Sequence, residues 1–227
     1  MEYSAILLSG GRGVRMGNNI PKQYLLLGGK PVLMHSLERI DALPCVREII
    51  VVCEEKYQDK IMMMCSKFAI EKKIVFARAG GTRQESVFNG VELADRTNVI
   101  LHESARPFAT LDDFERLIGC PQENVSLGYS IPFSIVQGHE YLEKTVNRSD
   151  FVNIQLPQKF TTESLLLAHH RARQEDRQYT EDAEMVHDLA QQEVKIVRGS
   201  SINIKISEPV DLLLGELIYK EYIVRRK

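Results

Sequence analysis

The residues with the clearest chemical meaning lie near the start of the chain, in a glycine-rich segment that carries cations. The apolar run Ala5–Leu8 leads directly into Ser9–Gly17, and Lys22 follows a few residues later. Glycines permit backbone conformations with positive φ and let N–H groups approach a ligand closely. Successive N–H groups in such a turn form a concave anion site, and Arg15 and Lys22 add full positive charges within reach of it. The segment therefore predicts a cradle for the phosphates of a nucleoside triphosphate. The glycines concerned are Gly10, Gly11 and Gly13.

Two well-known glycine loops do not fit this segment. The pattern G-x-G-x-x-G, counted from Gly11 and Gly13, requires a third glycine where Met16 stands. The phosphate-binding loop ends in Gly-Lys-Ser or Gly-Lys-Thr, and neither tripeptide occurs in the chain. A tight strand-to-helix turn with solvated arginines is the alternative interpretation. The sequence Pro21-Lys22-Gln23 just beyond the loop favours a nucleotide site.

Composition limits the classes of protein that the chain can belong to. A length of 227 residues, with 44% hydrophobic and 26% charged residues, suits one α/β domain spanning residues 1–227. The formal net charge of −2 gives no indication of a nucleic-acid or membrane surface, so an anion site must be a local cluster of cations. The four cysteines form no C-x-x-C pair and are expected to be free thiols. Without a leader pattern or a membrane-length apolar run, we expect a soluble cytoplasmic protein.

Strand and helix patterns alternate along most of the chain, which predicts a doubly wound α/β fold with a mostly parallel sheet. The predicted strands are Tyr3–Leu8, Glu48–Cys53, Lys73–Ala77, Asn98–His102, Asn124–Pro132, Phe151–Gln155, Val194–Arg198 and Ile202–Ile206. Predicted helices begin near Pro31, Gln58, Gln84, Thr110, Thr161, Thr180 and Ser207, and the caps expected among these residues are Thr110, Thr180 and Ser207. The helix from Gln58 is expected to turn Met62 inward.

Residues 133–150 interrupt this alternation. They are polar, contain Gly138, and lie between two strand-like runs, Ser130–Val136 and Tyr141–Val146. This pattern predicts a projecting β-hairpin arm inserted in the single domain.

Ligands of open parallel sheets bind at the carboxyl ends of the strands, so the residues that follow each strand are the site candidates. Small residues and cations recur there in four segments, which are expected to converge on one crevice. The segments are Gly10–Lys22, Gly80–Ser86, His102–Pro107 and Asn203–Lys205.

These segments, in this order, resemble the cytidylyltransferases of the methylerythritol phosphate and ribitol phosphate type, over essentially the whole chain. The opening motif of that family is matched by Gly10–Met16 with Pro21-Lys22-Gln23. Its other motifs are matched by Gly80–Val87, His102–Pro107, Gln155–Phe160, Thr180–Ala183 and Gly199–Ser207. The resemblance implies a Rossmann-like nucleotidyltransferase fold.

The resemblance also implies a reaction and its residues. The phosphate of a small polyol phosphate would attack the α-phosphorus of CTP, releasing pyrophosphate and giving a CDP-alcohol, with Mg²⁺ or another divalent cation bridging phosphate oxygens. The residues implied to be catalytic are Arg15, Lys22 and Lys205. Those implied to bind the nucleotide are Gly10, Gly11, Gly13, Gly80, Gly81, Ser86 and Ser104. Those implied to face the acceptor are Glu103, Arg106, Thr180 and Arg148, the last reaching from the arm of a partner in a homodimer. Glu103 is the candidate metal ligand.

Three departures from the family's pattern concern the acceptor half. Glu103 replaces an Asp, Leu156 replaces a Thr, and residues 132–138 lack an Asp-Thr-x-Lys segment. Buried polar partners discriminate strongly between substrates, so these changes indicate an altered acceptor or weakened acceptor binding.

The opening segment is closer to the ribitol branch, whereas Thr180–Val186 is closer to the methylerythritol branch. An inactive nucleotide-binding paralogue and a transferase for another sugar phosphate are the alternatives.

Several of these residues also have a purely structural interpretation. Thr180 could serve only as a helix cap, and Glu103 could be the ion-pair partner of Arg106. We interpret His102 as a packed histidine at a strand end. The pair His169-His170 is interpreted as solvated helix residues, because no third ligand stands at metal-binding spacing.

Overall fold

The computed structural model describes residues 1–11 and 20–224 of the chain, without the side chains of residues 223 and 224. The predictions made for Gly13 and Arg15 therefore lie outside the described residues.

A seven-stranded sheet forms the centre of the fold. Two smaller sheets pair β2 with β3 and β8 with β9. In chain order, the strands of all three sheets are β1 (Tyr3–Leu8), β2 (Leu26–Leu27), β3 (Lys30–Pro31), β4 (Val46–Cys53), β5 (Lys73–Arg78), β6 (Asn98–Glu103), β7 (Val125–Ser130), β8 (Val136–Gly138), β9 (Leu142–Thr145), β10 (Val152–Thr161) and β11 (Lys195–Arg198). The order across the large sheet is β11-β7-β10-β6-β1-β4-β5, and all its strands run parallel except β10. The predicted doubly wound, mostly parallel α/β fold is confirmed.

Helices cover both faces of this sheet. They are α1 (Val32–Asp41), α2 (Gln58–Lys67), α3 (Arg83–Val91), α4 (Leu111–Gly119), α5 (Thr162–Gln174), α6 (Asp182–Ala190) and α7 (Pro209–Ile218). Thr110 and Asp113 form a capping box at the start of α4, as the sequence predicted, and Thr161 caps α5.

Alternating side chains of the central strands supply two separate cores. Ala5 and Leu7 of β1 pack into the cluster on one face, whereas Ile6 packs into the cluster on the other. Successive residues of a strand point to opposite faces, so a strand covered on both sides must be apolar throughout. This explains the continuous apolar runs in β1 and β4.

The position of β1 creates the crevice at the carboxyl ends of the strands. From β1 the chain moves to β4 and β5 on one side, and then returns to pair β6 with the other side of β1. Loops that follow neighbouring strands diverge at such a reversal of strand order, which leaves room for a ligand.

Strand β10 is longer than predicted and opposite in direction to its neighbours. It pairs antiparallel with both β6 and β7, with a register shift between Gln155 and Gln158. The sequence predicted a strand only over Phe151–Gln155, and the observed continuation contains Pro157, which cannot donate to a neighbouring strand. The register shift accommodates Pro157, and Lys159 Nζ donates to the carbonyls of Ile118 and Cys120.

Several local predictions need correction. Ile202–Ile206 is not a strand, because its Ile204 N–H bonds within the segment to Ile202 O. The N-cap of α7 is Glu208 rather than Ser207, because Glu208 forms a capping box with Asp211, which also accepts from Ser207 N–H. The prediction that Met62 packs inward is wrong, since its side chain is exposed.

The cap predicted at Thr180 is also displaced by one residue. Helix α6 begins after Glu181, and Thr180 is exposed. The physical reason is that Glu181 and Asp182 are both anchored in the interior, by Gln158 and Arg83 respectively.

The inserted segment is a small antiparallel hairpin of β8 and β9, separate from the large sheet. Its strands are shorter than the predicted runs Ser130–Val136 and Tyr141–Val146, and their residues are exposed. In the part of the chain that the structure describes, no helix has the length and apolar character needed to cross a membrane.

Candidate active site

A cavity of about 540 Å³ opens at the carboxyl ends of β1, β5 and β6. All four segments that the sequence placed after strand ends contribute to its walls. The predicted site residues that line it are Gly10, Gly11, Lys22, Gly80, Gly81, Ser86, Glu103, Ser104 and Lys205.

The loop after β1 is held close to its neighbours. Gln23 Nε2 donates to Ser9 O over 2.7 Å, which fixes the short helical turn Lys22–Tyr24 and thereby Lys22 against the strand end. A Cβ atom at Gly10 would lie 2.5 Å from Ala79 Cβ. Glycine is therefore required where the loops that follow β1 and β5 approach each other.

The loop Gly80–Ser86 uses its own N–H donors internally. Gly80 N–H donates to Ser86 Oγ over 3.0 Å, and Gly81 N–H donates to Glu85 Oε2 over 2.7 Å. Ser104 N–H likewise donates to Leu8 O over 3.0 Å. The backbone donors expected to read a nucleobase are thus engaged, and a base would meet carbonyl oxygens or must displace these bonds.

Glu103 is the centre of an ion-pair cluster on the opposite wall. Its Oε2 lies 2.7 Å from Lys205 Nζ and 3.8 Å from Arg106 Nε, and its Oε1 lies 3.1 Å from Arg83 Nε. Burial alone would raise the pKa of Glu103, but Lys205, Arg83 and Arg106 together lower it to about 2. The carboxylate is therefore ionised at neutral pH. The expected pairing of Glu103 with Arg106 is present, although Arg83 and Lys205 are closer.

A second buried carboxylate continues the cluster. Arg83 Nη1 lies 2.7 Å from Asp182 Oδ2, and His169 Nε2 lies 3.9 Å from Asp182 Oδ1. Burial lowers the pKa of His169 to about 4 despite Asp182, so the imidazole is neutral at pH 7. The interpretation of His169 as a solvated residue is therefore wrong, because its ring is buried between Asp182 and Phe88.

Lys205 owes its position to polar residues around a segment with no regular structure. Arg106 Nη1 donates to Asn203 O over 3.0 Å, and Asn203 Nδ2 donates to Leu156 O over 2.7 Å. Ile206 N–H then donates to Ala105 O over 2.8 Å. These bonds hold the ammonium group of Lys205 at the cavity wall beside Glu103.

Other predicted residues lie outside the cavity lining. Arg106 stands behind Glu103, and Thr180 is exposed beside the start of α6. Arg148 is exposed on the arm, where its Nη1 donates to Pro132 O. Leu156 packs in the apolar core, so its replacement of a Thr does not alter the wall of the cavity.

His102 is a packed residue, as predicted. It is fully buried, its ring contacts Phe114 edge-on, and its Nε2 lies 3.2 Å from Arg106 O. Burial, together with the neighbouring Arg106, lowers the pKa of His102 to about 4.

The residues of the cavity do not fit a metal site built from protein ligands. Glu103, the candidate ligand, already contacts three cations. Among residues 1–11 and 20–224, no group of three or more His, Cys, Asp or Glu side chains is arranged to hold a metal ion.

Sequence reasoning missed the importance of Arg83 and Asp182. Both stood inside recognised motifs but received no role. One local signal was available, since Arg83 follows the helix cap Thr82, and a cation at the first turn of a helix opposes the helix dipole. A cation at this position therefore indicates a role other than stabilising its own helix.

A doubly wound sheet with a cation-lined cavity at its strand ends defines an α/β protein whose site suits an anionic ligand such as a nucleotide. The family described as 2-C-methyl-D-erythritol 4-phosphate cytidylyltransferase (IspD) matches residues 3–221, and the chain belongs to that family.

Individual relatives agree with this assignment. A 2-C-methyl-D-erythritol 4-phosphate cytidylyltransferase from Chlamydia pneumoniae is 34% identical over 220 residues, covering 96% of this chain and 99% of its own. One from Geobacillus kaustophilus is 32% identical, covering 96% of this chain and 97% of its own. The crystal structure of 4-diphosphocytidyl-2C-methyl-D-erythritol synthase from Anaerococcus prevotii has a TM-score of 0.86 at 24% identity, covering 97% of this chain and 96% of that one. That level of identity supports the fold alone.

Proposed function

We propose that the protein transfers CMP from CTP to the phosphate of 2-C-methyl-D-erythritol 4-phosphate. One observation carries this proposal: in a chain of this family, Lys22 and Lys205 line the same cavity as two glycine-rich segments. The acceptor phosphate oxygen forms a bond to the α-phosphorus of CTP, and the bond to the β-phosphate bridge breaks. Pyrophosphate leaves with the electron pair of that bond.

Charge stabilisation is the main task of the protein in such a reaction. We propose that Lys22, with Arg15, neutralises the charge that develops on the α-phosphate and the departing pyrophosphate. Lys205 approaches the reacting phosphates from the other wall, where Glu103 fixes its ammonium group at rest. Because phosphoryl transfer needs alignment more than covalent help, placing both lysines in advance lowers the barrier.

Each of the remaining predicted residues is assigned to binding either the nucleotide or the acceptor. We propose that Gly10, Gly11 and Gly13 hold the triphosphate. Gly80, Gly81, Ser86 and Ser104 surround the cytosine. Glu103, Arg106 and Thr180 face the acceptor, with Arg148 supplied by a partner subunit.

A divalent cation is proposed to arrive with the triphosphate. Mg²⁺ commonly binds substrate phosphates with few protein ligands, which agrees with a cavity that lacks a cage of carboxylates among its described residues.

We further propose that the arm forms a homodimer. Phe133 is 74% exposed and Tyr141 81% exposed, and such large apolar side chains mark interaction surfaces when they cluster. A second cavity of about 460 Å³ lies at the base of the arm between Ile131, Phe133 and Ile154, and offers an apolar surface for the partner.

The decisive experiment measures pyrophosphate release from CTP with Mg²⁺ and a series of acceptors. The series contains the 4-phosphate of methylerythritol, ribitol 5-phosphate and glycerol phosphate, with an acceptor-free control. We expect release with methylerythritol 4-phosphate to exceed the others, and release from UTP or GTP to be lower than from CTP. Calorimetric binding of CTP without turnover of any acceptor would instead identify an inactive nucleotide-binding paralogue.

A further inference from the structure

Arg83 occupies a position that helix stability does not explain. It is the first residue of α3, directly after the cap Thr82, whose Oγ1 accepts from Glu85 N–H. The positive end of the helix dipole lies there and disfavours a cation. The side chain is also largely buried, with 24% of its surface exposed. Its two carboxylate partners must therefore account for it.

These two carboxylates come from different parts of the chain. Nε of Arg83 binds Glu103 at the end of β6, and Nη1 binds Asp182 at the start of α6. A guanidinium presents separate donors in a rigid plane, so it can hold two carboxylates in fixed orientations at once. A lysine in the same place offers one compact charge and cannot reproduce both contacts.

The contact with Glu103 determines what Lys205 meets. Arg83 binds Oε1 of Glu103, and the other oxygen of the same carboxylate lies 2.7 Å from Lys205 Nζ. The orientation of the carboxylate therefore depends on Arg83, and the rest position of the ammonium group depends on the carboxylate.

The contact with Asp182 anchors the segment that carries Thr180. His169 is neutral at pH 7, so Arg83 is the charged partner of Asp182 among the described residues. The neighbouring Gln84 strengthens this anchor, because its Oε1 accepts from Tyr179 N–H over 2.7 Å and its Nε2 donates to Arg177 O over 3.3 Å. The first turn of α3 thus holds the segment 177–182 in place.

We propose that Arg83 is a positioning residue that couples the nucleotide half of the cavity to the acceptor half, acting through Glu103 and Asp182. The proposal rests on the proposed transfer of CMP to a polyol phosphate. Arg83 lies in the segment Gly80–Ser86, which is proposed to surround the cytosine, yet both its partners belong to segments proposed to face the acceptor. Loss of Arg83 is therefore expected to impair acceptor use more than CTP binding.

The test compares R83M and R83K with the unaltered enzyme in steady-state kinetics with both substrates varied. Misplacement of positioning groups costs about 100-fold in rate, so we expect R83M to lose about that in kcat/KM for the acceptor. The KM for CTP should change less than the KM for the acceptor. R83K keeps the charge but loses one contact to a carboxylate, and we expect a loss of about 10-fold. R96M is the matched control, because Arg96 precedes β6 at the opposite end of the sheet and pairs with Glu2 and Asp95.

Thermal unfolding separates this role from a structural one. If R83M does not fold, R83M/D182N removes the buried carboxylate left without its cation and is measured in its place. A purely structural role predicts a lower melting temperature with equal changes in both KM values, and that result would overturn the proposal. Full activity of R83K and R83M would overturn it as well, while leaving the proposed function intact. No turnover by the unaltered enzyme with any acceptor would overturn both proposals.

Discussion

Glu103 Oε2 lies 2.7 Å from Lys205 Nζ at the wall of the cavity, where Glu103 ends β6 and Lys205 lies in the irregular segment between β11 and α7. The carboxylate is buried, whereas Lys205 retains about a third of its exposure. The ion pair therefore holds a cation at the edge of the cavity that is proposed to receive phosphates. Under the proposed function, an incoming phosphate would share or replace Glu103 as the partner of Lys205.

Replacing Glu103 by Gln should lower the stability of the protein at pH 7. The change leaves Arg83, Arg106 and Lys205 without their shared anion, and removing one partner of a buried ion pair costs about 3 kcal/mol. Urea unfolding measures the difference. E175Q is the control, because Glu175 pairs with Arg177 at the surface and exposed pairs contribute at most about 1 kcal/mol.

The difference between E103Q and the unaltered protein should depend on pH. The folded-state pKa of Glu103 is about 2, below its ordinary value of 4.5. A depressed carboxyl pKa contributes stability that is complete above about pH 4.5 and is lost as pH falls toward 2. The two unfolding free energies should therefore converge in acid. A constant difference down to pH 2.5 would contradict the low pKa.

His169 should make folding sensitive to mildly acidic pH. Its pKa is lowered from 6.5 to about 4 by burial, so the unfolded chain binds a proton that the folded protein does not. Stability is consequently lost as pH falls from about 6.5 to about 4. H169Q should reduce the slope of unfolding free energy against pH in that window, and H170Q, which alters the exposed neighbour, should not. His102 titrates over the same range and keeps part of the slope in H169Q.

The parallel half of the sheet was predictable from the sequence because its strands are short apolar runs bounded by turn residues. β1, β4, β5 and β6 all lie within a few residues of their predicted bounds. The convergence of the cavity segments followed from one rule, that loops after parallel strands meet at one edge.

The direction of β10 and the bridge made by Arg83 could not be predicted in the same way. Both depend on partners that are distant in sequence: β10 on pairing with β6 and β7, and Arg83 on contacts with Glu103 and Asp182. Local patterns report the backbone preference of a residue and the face on which it is buried, but not which distant charge it will meet. The caps of α6 and α7 are displaced by one residue for the same reason. Side-chain contacts determine which of several adjacent polar residues becomes the cap.

Gly10 and Gly11 should respond differently to alanine, although they are adjacent. An alanine Cβ at Gly10 would lie 2.5 Å from Ala79 Cβ, so the two loops must separate. Such overpacking costs about 1–3 kcal/mol. At Gly11 a Cβ would meet no described heavy atom within 4 Å, and we expect the stability of G11A to equal or exceed that of the unaltered protein. Thermal unfolding of both variants makes the comparison, and equal losses would contradict a close approach at Gly10.

Replacing Lys22 by Ala should nearly abolish turnover while the fold survives. Lys22 lines the cavity, and its ammonium group is proposed to stabilise charge on the reacting phosphates; loss of such a group costs about 100-fold to 1,000-fold in kcat. Pyrophosphate release measures turnover, and circular dichroism confirms folding. K56A is the control, because Lys56 pairs with Glu54 in the segment just before α2 and lies outside the cavity lining. Retention of more than a tenth of the activity in K22A would exclude Lys22 from the reaction.

Mixing two inactive variants should restore activity if Arg148 acts from the partner's arm. K22A and R148A each disable both sites of their own homodimer. In a mixed dimer, one site combines the intact Lys22 of the R148A subunit with the intact Arg148 of the K22A subunit. With random exchange half of the dimers are mixed and each has one complete site, so about a quarter of the unaltered activity should return. If Arg148 acts within its own subunit, no mixed dimer has a complete site and the mixture stays inactive. Light scattering with Y141E, which places a charge on the exposed arm, checks that the restored activity requires the dimer.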